Sequence, residues 1–341
     1  MGIEGRKRPT MIDVARKAGV SHMTVSRYLN DQDTVRQAKR ESIEAAIEEL
    51  GYRPNIVARS MRTRRSGLLS LLLPSTINPF SPARLISAAA LAAHGEGFEV
   101  EIVQVDGGAK ARTAKALELA DSQLVGGVLS LGSLDLDSLA GAAAAVPIVE
   151  FEVFDDHLRG VGPLLRVDPV PILMKRLREL GHRHVFHVGG PERHPASDHR
   201  QAAYEKMARE LGMQTHGVVR GPWTGRTGLA AVESLSDDTR VTAVVCSNDE
   251  LAAGVMQGAQ ARGWSVPERM SVTGWDDNSL AAFLSPPLTT VAVAHERLGV
   301  VAVQRLLAEI RGKDAAGLEI PSLNSVVWRG SVGPVPEGFG E

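Results

Sequence analysis

Two hydrophobic rhythms divide the chain of 341 residues. Up to about residue 52, apolar positions recur three and four apart in short stretches. From Leu68 onward, continuous apolar runs alternate with alanine-rich helical ones. The first rhythm begins in "TMIDVARKAGVSHMTVSRYLN", residues 10–30. Thr10 and Asp13 resemble a capping box, with Asp in place of the usual Glu or Gln. They predict a helix from Met11 to Ala18 whose apolar side is Ile12, Val14, Ala15 and Ala18. Gly19 follows, where a residue without Cβ enters a left-handed turn at little cost. Ser21 caps a second helix, in which Val25 and Leu29 face inward, with Val20 just before the cap. His22, Met23, Ser26 and Arg27 fall on its outward side. Ile43, Ala46, Ile47 and Leu50 mark a third helix ending at Gly51. Three short helices with a glycine turn between the first two predict a helix-turn-helix. Taken alone, such a hairpin is often just a packing unit.

The second rhythm is βαβ. Apolar runs at 68–74, 98–105, 125–131 and 146–151 read as strands, with helices between them at 83–94, 110–121 and 135–145. The pattern restarts with strands at 183–189, 242–247 and 269–275 around helices near 170–180, 196–211 and 249–262. Such alternation predicts parallel sheets covered by helices on both faces. Two similar lobes of this size predict a cleft between facing strand carboxyl ends.

Charge sharpens the division. The net charge of −2 hides a basic head: residues 1–66 carry 14 Lys and Arg against 8 Asp and Glu, the remainder 24 against 32. A basic head on an acidic body suggests that only the head meets a polyanion. Its arginines concentrate in "YRPNIVARSMRTRRSG", residues 52–67, at 53, 59, 62, 64 and 65. Pro54 ends the preceding structure, Asn55 can cap, and 56–62 is a helix too short to stand alone. It reads either as a flexible basic linker or as a hinge that folds on DNA. The single cysteine, Cys246, lies in an apolar strand and excludes a disulfide framework or a multi-cysteine zinc site. No Walker-type loop, HExxH or GxSxG occurs. No apolar run reaches membrane length, and "MGIEGRKRPT" lacks a secretory apolar core, so the cytoplasm is expected.

In the second lobe, strand ends deliver Asn248 and Asp249, then Asp276 and Asp277. Arg200 starts a helix, and Trp223 sits in the loop "RGPWTGRTG". Arg, Asn and Asp suit adjacent hydroxyls of a ring, and Trp its C–H face. The blander reading is that Asp249 and Asp277 cap helices and Trp223 plugs a loop. His182, His184 and His187 flank and enter a strand and read as loop and core residues. No metal-spaced histidines or activated nucleophile accompany the carboxylates.

Taken together, the head, "IEELGYRPNIVARSMRTRRS", "INPF" (77–80), "ELGHRHVFHVGGP" (179–191), "CSNDELAAGVMQ" (246–257), "SVTGWDD" (271–277) and "PPLTTV" (286–291) resemble, in this order, the lactose/galactose repressor (LacI–GalR) family. The resemblance implies a helix-turn-helix over 1–53, a hinge over 54–66 and a two-lobed body of periplasmic-binding-protein type over 67–330. Lobe 1 would span about 67–167 plus part of 294–325, lobe 2 about 168–293, and a tail 331–341. It implies that Ser21 and Thr24 grip phosphates while His22, Met23 and Arg27 read base edges, with Asn30 closing the helix. Thr10, Ser26, Asn55, Arg59 and Arg62 join the DNA-facing set, and Met61 takes the place of the minor-groove wedge, where the family usually has leucine. Arg36 stands where many relatives have a serine cap. Effector contacts would fall on Arg200, Trp223, Asn248 and Asp276, with Glu152, Asn78 and Phe80 as weaker candidates. Departures near the cleft are the missing glycine after the arginine of "SDHRQAA", and Pro169 and Pro171 at a helix start.

The function expected is a sequence-specific transcriptional regulator, a repressor acting as a homodimer on a near-palindromic operator of double-stranded DNA. A small-molecule effector in the cleft, a saccharide by expectation, would control it. No cofactor, metal or membrane is expected. No leucine heptad is evident in the last twenty residues, so a dimer is the default. The competing readings are a cytoplasmic solute-binding protein with a basic leader and an α/β sugar or nucleoside enzyme.

Overall fold

A computed structural model describes residues 9–30, 34–52, 66–75, 82–315, 318, 320 and 323–339. The chain divides into two units between Gly67 and Leu68.

The first unit holds α1 (Met11–Lys17), α2 (His22–Asn30) and α3 (Gln37–Leu50). Thr10 caps α1 through the reciprocal box: its hydroxyl accepts from the Asp13 N–H, and its own N–H donates to Asp13 Oδ2 at 2.9 Å. Gly19, at φ +65°, supplies the turn into α2. The Ser21 hydroxyl accepts from the Thr24 N–H at 3.2 Å, satisfying one of the open donors of α2. Arg36 precedes α3 without a side-chain cap bond. The core joins Val14, Ala15, Val25, Tyr28, Val35, Ile43, Ala46 and Tyr52. Ile12 is a correction: it is 60% exposed, and Met11 packs on the core in its place. Met11, Val14, Ala15 and Ala18 form one stripe at intervals of three and four, and Ile12 lies about 100° off it.

In the second unit, lobe 1 has β1 (Leu68–Pro74), β2 (Glu99–Val105), β3 (Gly127–Gly132) and β4 (Ile148–Phe154), all parallel in the order β2-β1-β3-β4. Helices α4 (Ala83–Gly95), α5 (Gly108–Asp121) and α6 (Leu136–Ala140) connect them. Leu69, Leu71 and Leu73 of β1 join one core with Leu85, Ala89 and Ala93 of α4, while Leu72 joins a second core with Ala116 and Ala120 of α5. Burial on both faces explains why β1 is apolar throughout. The helix expected over 135–145 ends at Ala140, and the chain from Gly141 to Pro147 contributes no helix.

Lobe 2 repeats the plan with β5 (His184–Gly189), β6 (Gln214–Arg220), β7 (Ala243–Cys246) and β8 (Ser271–Thr273), in the order β6-β5-β7-β8. Helices α7 (Pro169–Glu179) and α8 (Pro195–Glu210) cover one face, and α9 (Gly225–Glu233) and α10 (Asp249–Ala261) the other. Pro169 occupies the first turn of α7, where its missing N–H has no helical partner to lose. The chain then crosses between lobes through β9 (Thr290–Val293) into α11 (His295–Ile310), whose Leu298, Ala302 and Leu306 enter the lobe 1 core. It returns through β10 (Asn324–Val327), antiparallel to β9. Residues 331–335, expected within a tail, are instead part of lobe 2. Ser331 is fully buried and its carbonyl accepts from the Val272 N–H at 2.8 Å, while the Val335 N–H donates to Leu180 O at 2.9 Å.

Candidate functional site

Two surfaces carry candidate chemistry, one in each unit. In the head, the inward stripe of α2 is Val25, Tyr28 and Leu29, anchored by the Tyr28 hydroxyl donating to Glu44 Oε1 at 2.9 Å. The opposite side presents Ser21, His22, Met23 and Arg27 to solvent, with Thr24 and Ser26 half-buried beside them. Met23 is 61% exposed on this side. Thr10 is exposed at the start of α1, and Asn30 ends α2. Asn55, Arg59, Met61 and Arg62 lie outside the described residues, as do Asn78 and Phe80.

In the second unit a cavity of about 590 Å³ opens between the lobes, at the carboxyl ends of the strands. Lobe 2 brings Arg200, Trp223, Asn248 and Asp276 together there. Arg200, on the first turns of α8, donates from Nη1 to the carbonyl of Ser247 at 2.5 Å and lies over the Trp275 ring at 4.4 Å. Its Nη2 stands 3.8 Å from Asp276 Oδ1. Asp276 holds φ +102°, a backbone region costly for a side chain and often found at ligand sites. Its N–H donates to Val291 O at 2.8 Å, so the bend is fixed by the crossing strand. Asn248 caps α10, its Oδ1 accepting from the Leu251 N–H at 2.8 Å, while its buried Nδ2 has no hydrogen-bond partner. A buried amide donor left open is expensive unless something supplies an acceptor. Trp223 is half-buried against the bare backbone of Gly190, where a Cβ would come within 2.3 Å of the ring. His194 meets the indole edge-on, centroids 5.2 Å apart.

The acids beside these groups divide differently from the helix-capping expectation. The cap is Asn248. Asp249 is buried, accepts from the Asn278 N–H at 2.7 Å and from the Thr290 hydroxyl, and so ties the loop after β8 and the start of β9 to the start of α10. Burial, with Asp276 and Asp277 nearby, pushes its pKa up to about 7. Asp277 pairs with Arg329 at 2.7 Å. Glu152 is exposed on β4 and is not among the residues lining the cavity.

Lobe 1 contributes groups that sequence reasoning did not single out: Arg84, Phe154, Leu158, Arg159 and Leu164, with His295 from α11. The strand-end rule used for lobe 2 would have found Phe154 at the carboxyl end of β4. Arg84 is held by Glu296 through two bonds of 2.7 and 3.1 Å. Arg159 binds Asp155 Oδ2 at 2.6 Å and reaches across to the Arg193 carbonyl at 3.1 Å. Burial lowers the pKa of both His194 and His295, so each imidazole is neutral near pH 7.

The histidine-rich strand is core. His182 bonds Thr242 and the Gly333 carbonyl at 2.9 and 3.0 Å, His184 meets His216 at 2.8 Å, and His187 stacks on Tyr204 with its pKa driven down by burial to about 3. Burial raises the Cys246 thiol well above its ordinary range. Among the described residues no group of three His, Cys, Asp or Glu is placed to hold a metal, and no helix is long and apolar enough to cross a membrane.

A basic helix-turn-helix with an exposed second helix, carried on a two-lobed ligand trap, defines the class: a DNA-binding transcriptional regulator controlled by a small molecule. Comparison with known proteins agrees. The profile described as "Bacterial regulatory proteins, lacI family" matches residues 10–55, and the "Periplasmic binding protein-like domain" profile matches 174–332. The chain is 31% identical over 337 residues to the repressor CytR of Escherichia coli K12, covering 96% of this chain and 97% of that one. It is 31% identical over 343 residues to the regulator MalR of Streptomyces coelicolor, with coverage of 96% and 97%. Among solved structures it resembles the lac repressor dimer bound to operator and the anti-inducer ONPF (TM-score 0.69, 29% identity, 96% of this chain and 100% of that). It also resembles a CelR–cellobiose complex (TM-score 0.55, 28% identity, 95% and 100%). The chain belongs to the lacI family of bacterial regulatory proteins.

Proposed function

We propose that this regulator is a repressor that works as a homodimer in the cytoplasm. Two copies of α2 enter successive major grooves of a near-palindromic operator. Ser21 and Thr24 grip phosphates, supported by Thr10 and Ser26. His22, Met23 and Arg27 meet base edges, and Asn30 closes the helix. Asn55, Arg59 and Arg62 follow the backbone at the centre of the site, with Met61 as the minor-groove wedge. The resemblance to a repressor dimer on its operator supports this arrangement.

The effector is a saccharide in the cleft, held by Arg200, Asn248 and Asp276 with Trp223 against its C–H face. Asn78 and Phe80 are the weaker candidates for contacts from lobe 1. Glu152 acts at most through β4, since it stands outside the cavity. The observation that carries this reading is the convergence of an open, buried Asn248 amide donor with the Arg200–Asp276 pair in one cavity. A ring with neighbouring hydroxyls gives each of them a partner. The protein binds the sugar and returns it unchanged, the lobes shifting so that the coupling alters operator affinity.

Selection of bound duplexes from a random pool, followed by a sugar panel, tests both halves. The expected result is a near-palindrome whose occupancy one sugar changes. Arg27→Ala should erode discrimination at one base pair per half-site, by about 1–3 kcal/mol. A loss spread evenly over all sequences would make Arg27 a phosphate contact instead.

A further inference from the structure

Arg200 reaches the cleft with 11% of its side chain exposed, and its aim depends on groups that do not line the cavity. Among the described residues, its hydrogen bond goes to the carbonyl of Ser247, 2.5 Å from Nη1. Ser247 is pinned in turn. Its N–H donates to Val188 O at 2.8 Å, and its hydroxyl stands 3.2 Å from His187 Nε2. His187 also meets the helix that carries the arginine. Its ring stacks on the fully buried Tyr204, centroids 4.8 Å apart and planes 21° from parallel. Tyr204 follows Arg200 by four residues on α8, so the two side chains share one side of that helix. One imidazole therefore touches the residue that supplies the acceptor and the helix that supplies the guanidinium.

As mere filling, a histidine here is costly. Its β5 neighbours Val185, Phe186 and Val188 are apolar and buried, and His187 itself is 1% exposed. An apolar side chain of similar length would avoid the desolvation of an imidazole. Burial keeps the ring neutral, so it sets no like charge beside Arg200. A local rule broken without gain in packing marks a residue held for another reason. We propose that His187 is a positioning residue: through Ser247 and Tyr204 it holds Arg200 in the orientation that the cleft uses. The proposal rests on the cleft being the effector site, and it adds a residue that sets effector affinity without touching the effector. The link runs through Nε2. Glutamine places a polar group about as far along the side chain as Nε2, asparagine only as far as Nδ1, and methionine fills the length with a weak acceptor.

The experiment is fluorine NMR of the full chain labelled with 5-fluorotryptophan, its four tryptophans assigned by single Trp→Phe substitutions. The Trp275 resonance reports on Arg200, whose guanidinium lies 4.4 Å over that ring, and needs no ligand. Arg200→Ala sets the shift for a lost guanidinium. His187→Met and Ser247→Ala should each move the resonance the same way by about half as far or more, and the double variant no further than either alone. His187→Gln should keep the native position, and His187→Asn should follow methionine. Melting separates positioning from folding: His187→Met should melt no more than about 3 °C below the native chain, because an apolar group replaces a buried polar one. Ser247→Ala reads the same link from the other partner. A Trp275 resonance unmoved in Arg200→Ala or in His187→Met, or glutamine behaving as methionine does, would overturn the proposal. The effector site is read separately, from the Trp223 resonance on titration with glucose, galactose and ribose. A sugar that moves it should bind His187→Met about tenfold more weakly, and His187→Gln within about twofold of the native chain. Sugar binding unchanged in Arg200→Ala removes that arginine from the effector site whatever Trp275 shows. Binding that needs Arg200 but is indifferent to His187→Met removes only His187.

Discussion

Asp249 is a side chain whose charge state depends on its place in the fold. It sits in the cleft floor between Asn278 and Thr290, near Asp276 and Asp277, with its pKa raised to about 7. A carboxyl with a raised folded-state pKa is protonated in the native state where the unfolded chain is already ionised. The stability this contributes is fully present below the unfolded pKa, near 4, and is lost as pH rises toward 7. Asp249→Asn keeps a neutral group that can accept from the Asn278 N–H and donate to Thr290. Relative to the native chain it should gain stability from pH 4 to pH 8, on the order of 2–4 kcal/mol, measured by urea unfolding at each pH. A constant difference between the two proteins would show that Asp249 is ionised throughout. Gly190 is the second informative residue. Its lack of a side chain makes room for Trp223, and Gly190→Ala places a methyl within 2.3 Å of the ring. The indole must move, and effector affinity should fall at least tenfold by titration; unchanged affinity would remove Trp223 from the site.

At the scale of elements, close helix packing organises lobe 2. A Cβ on Gly254 would come within 1.8 Å of the Gly225 carbonyl, so α9 and α10 touch backbone to backbone. Gly254→Ala must separate them, and overpacking of this kind costs about 1–3 kcal/mol. The expected result is a lower melting temperature for the second unit with the head unaffected; an unchanged melting temperature would mean the helix pair yields freely. What the sequence disclosed at this scale follows from how strongly each element is patterned. The central strands of both lobes read clearly because they are buried on both faces. Edge strand β6, "QTHGVVR", did not, since its first four residues are exposed and Gly217 interrupts them. The helix expected over 135–145 stops at Ala140 because Gly141 caps it, although the alanines beyond carry helical propensity. Ile12 was misplaced because a seven-residue helix gives two turns on which to judge a face. The lobe 2 site was legible because strand ends and helix starts deliver it locally. The lobe 1 wall was not: Phe154 and Leu158 become cleft residues through the turn after β4, locked by Asp155, which accepts from the N–H groups of His157 and Arg159.

For the whole molecule, the division into a basic head and an acidic body lets each unit keep one task. The head exposes Met23, His22 and Arg27 because its small core is satisfied by the opposite side of the helices. The body places its polar groups between two lobes linked by the crossings around 155–168, β9 with α11, and β10. A ligand that contacts both lobes can then shift their arrangement, and linkage makes its effect on DNA equal to DNA's effect on it. The most direct measurement is the operator affinity of the full chain, by fluorescence anisotropy on a selected duplex, with and without saturating effector, in the native protein and in Arg200→Ala. The account predicts a 5- to 150-fold change in the native protein, corresponding to about 1–3 kcal/mol of coupling, and less than a twofold change in Arg200→Ala with operator affinity otherwise retained. An equal response in both proteins, or none in the native one, would contradict control of DNA binding from this cleft.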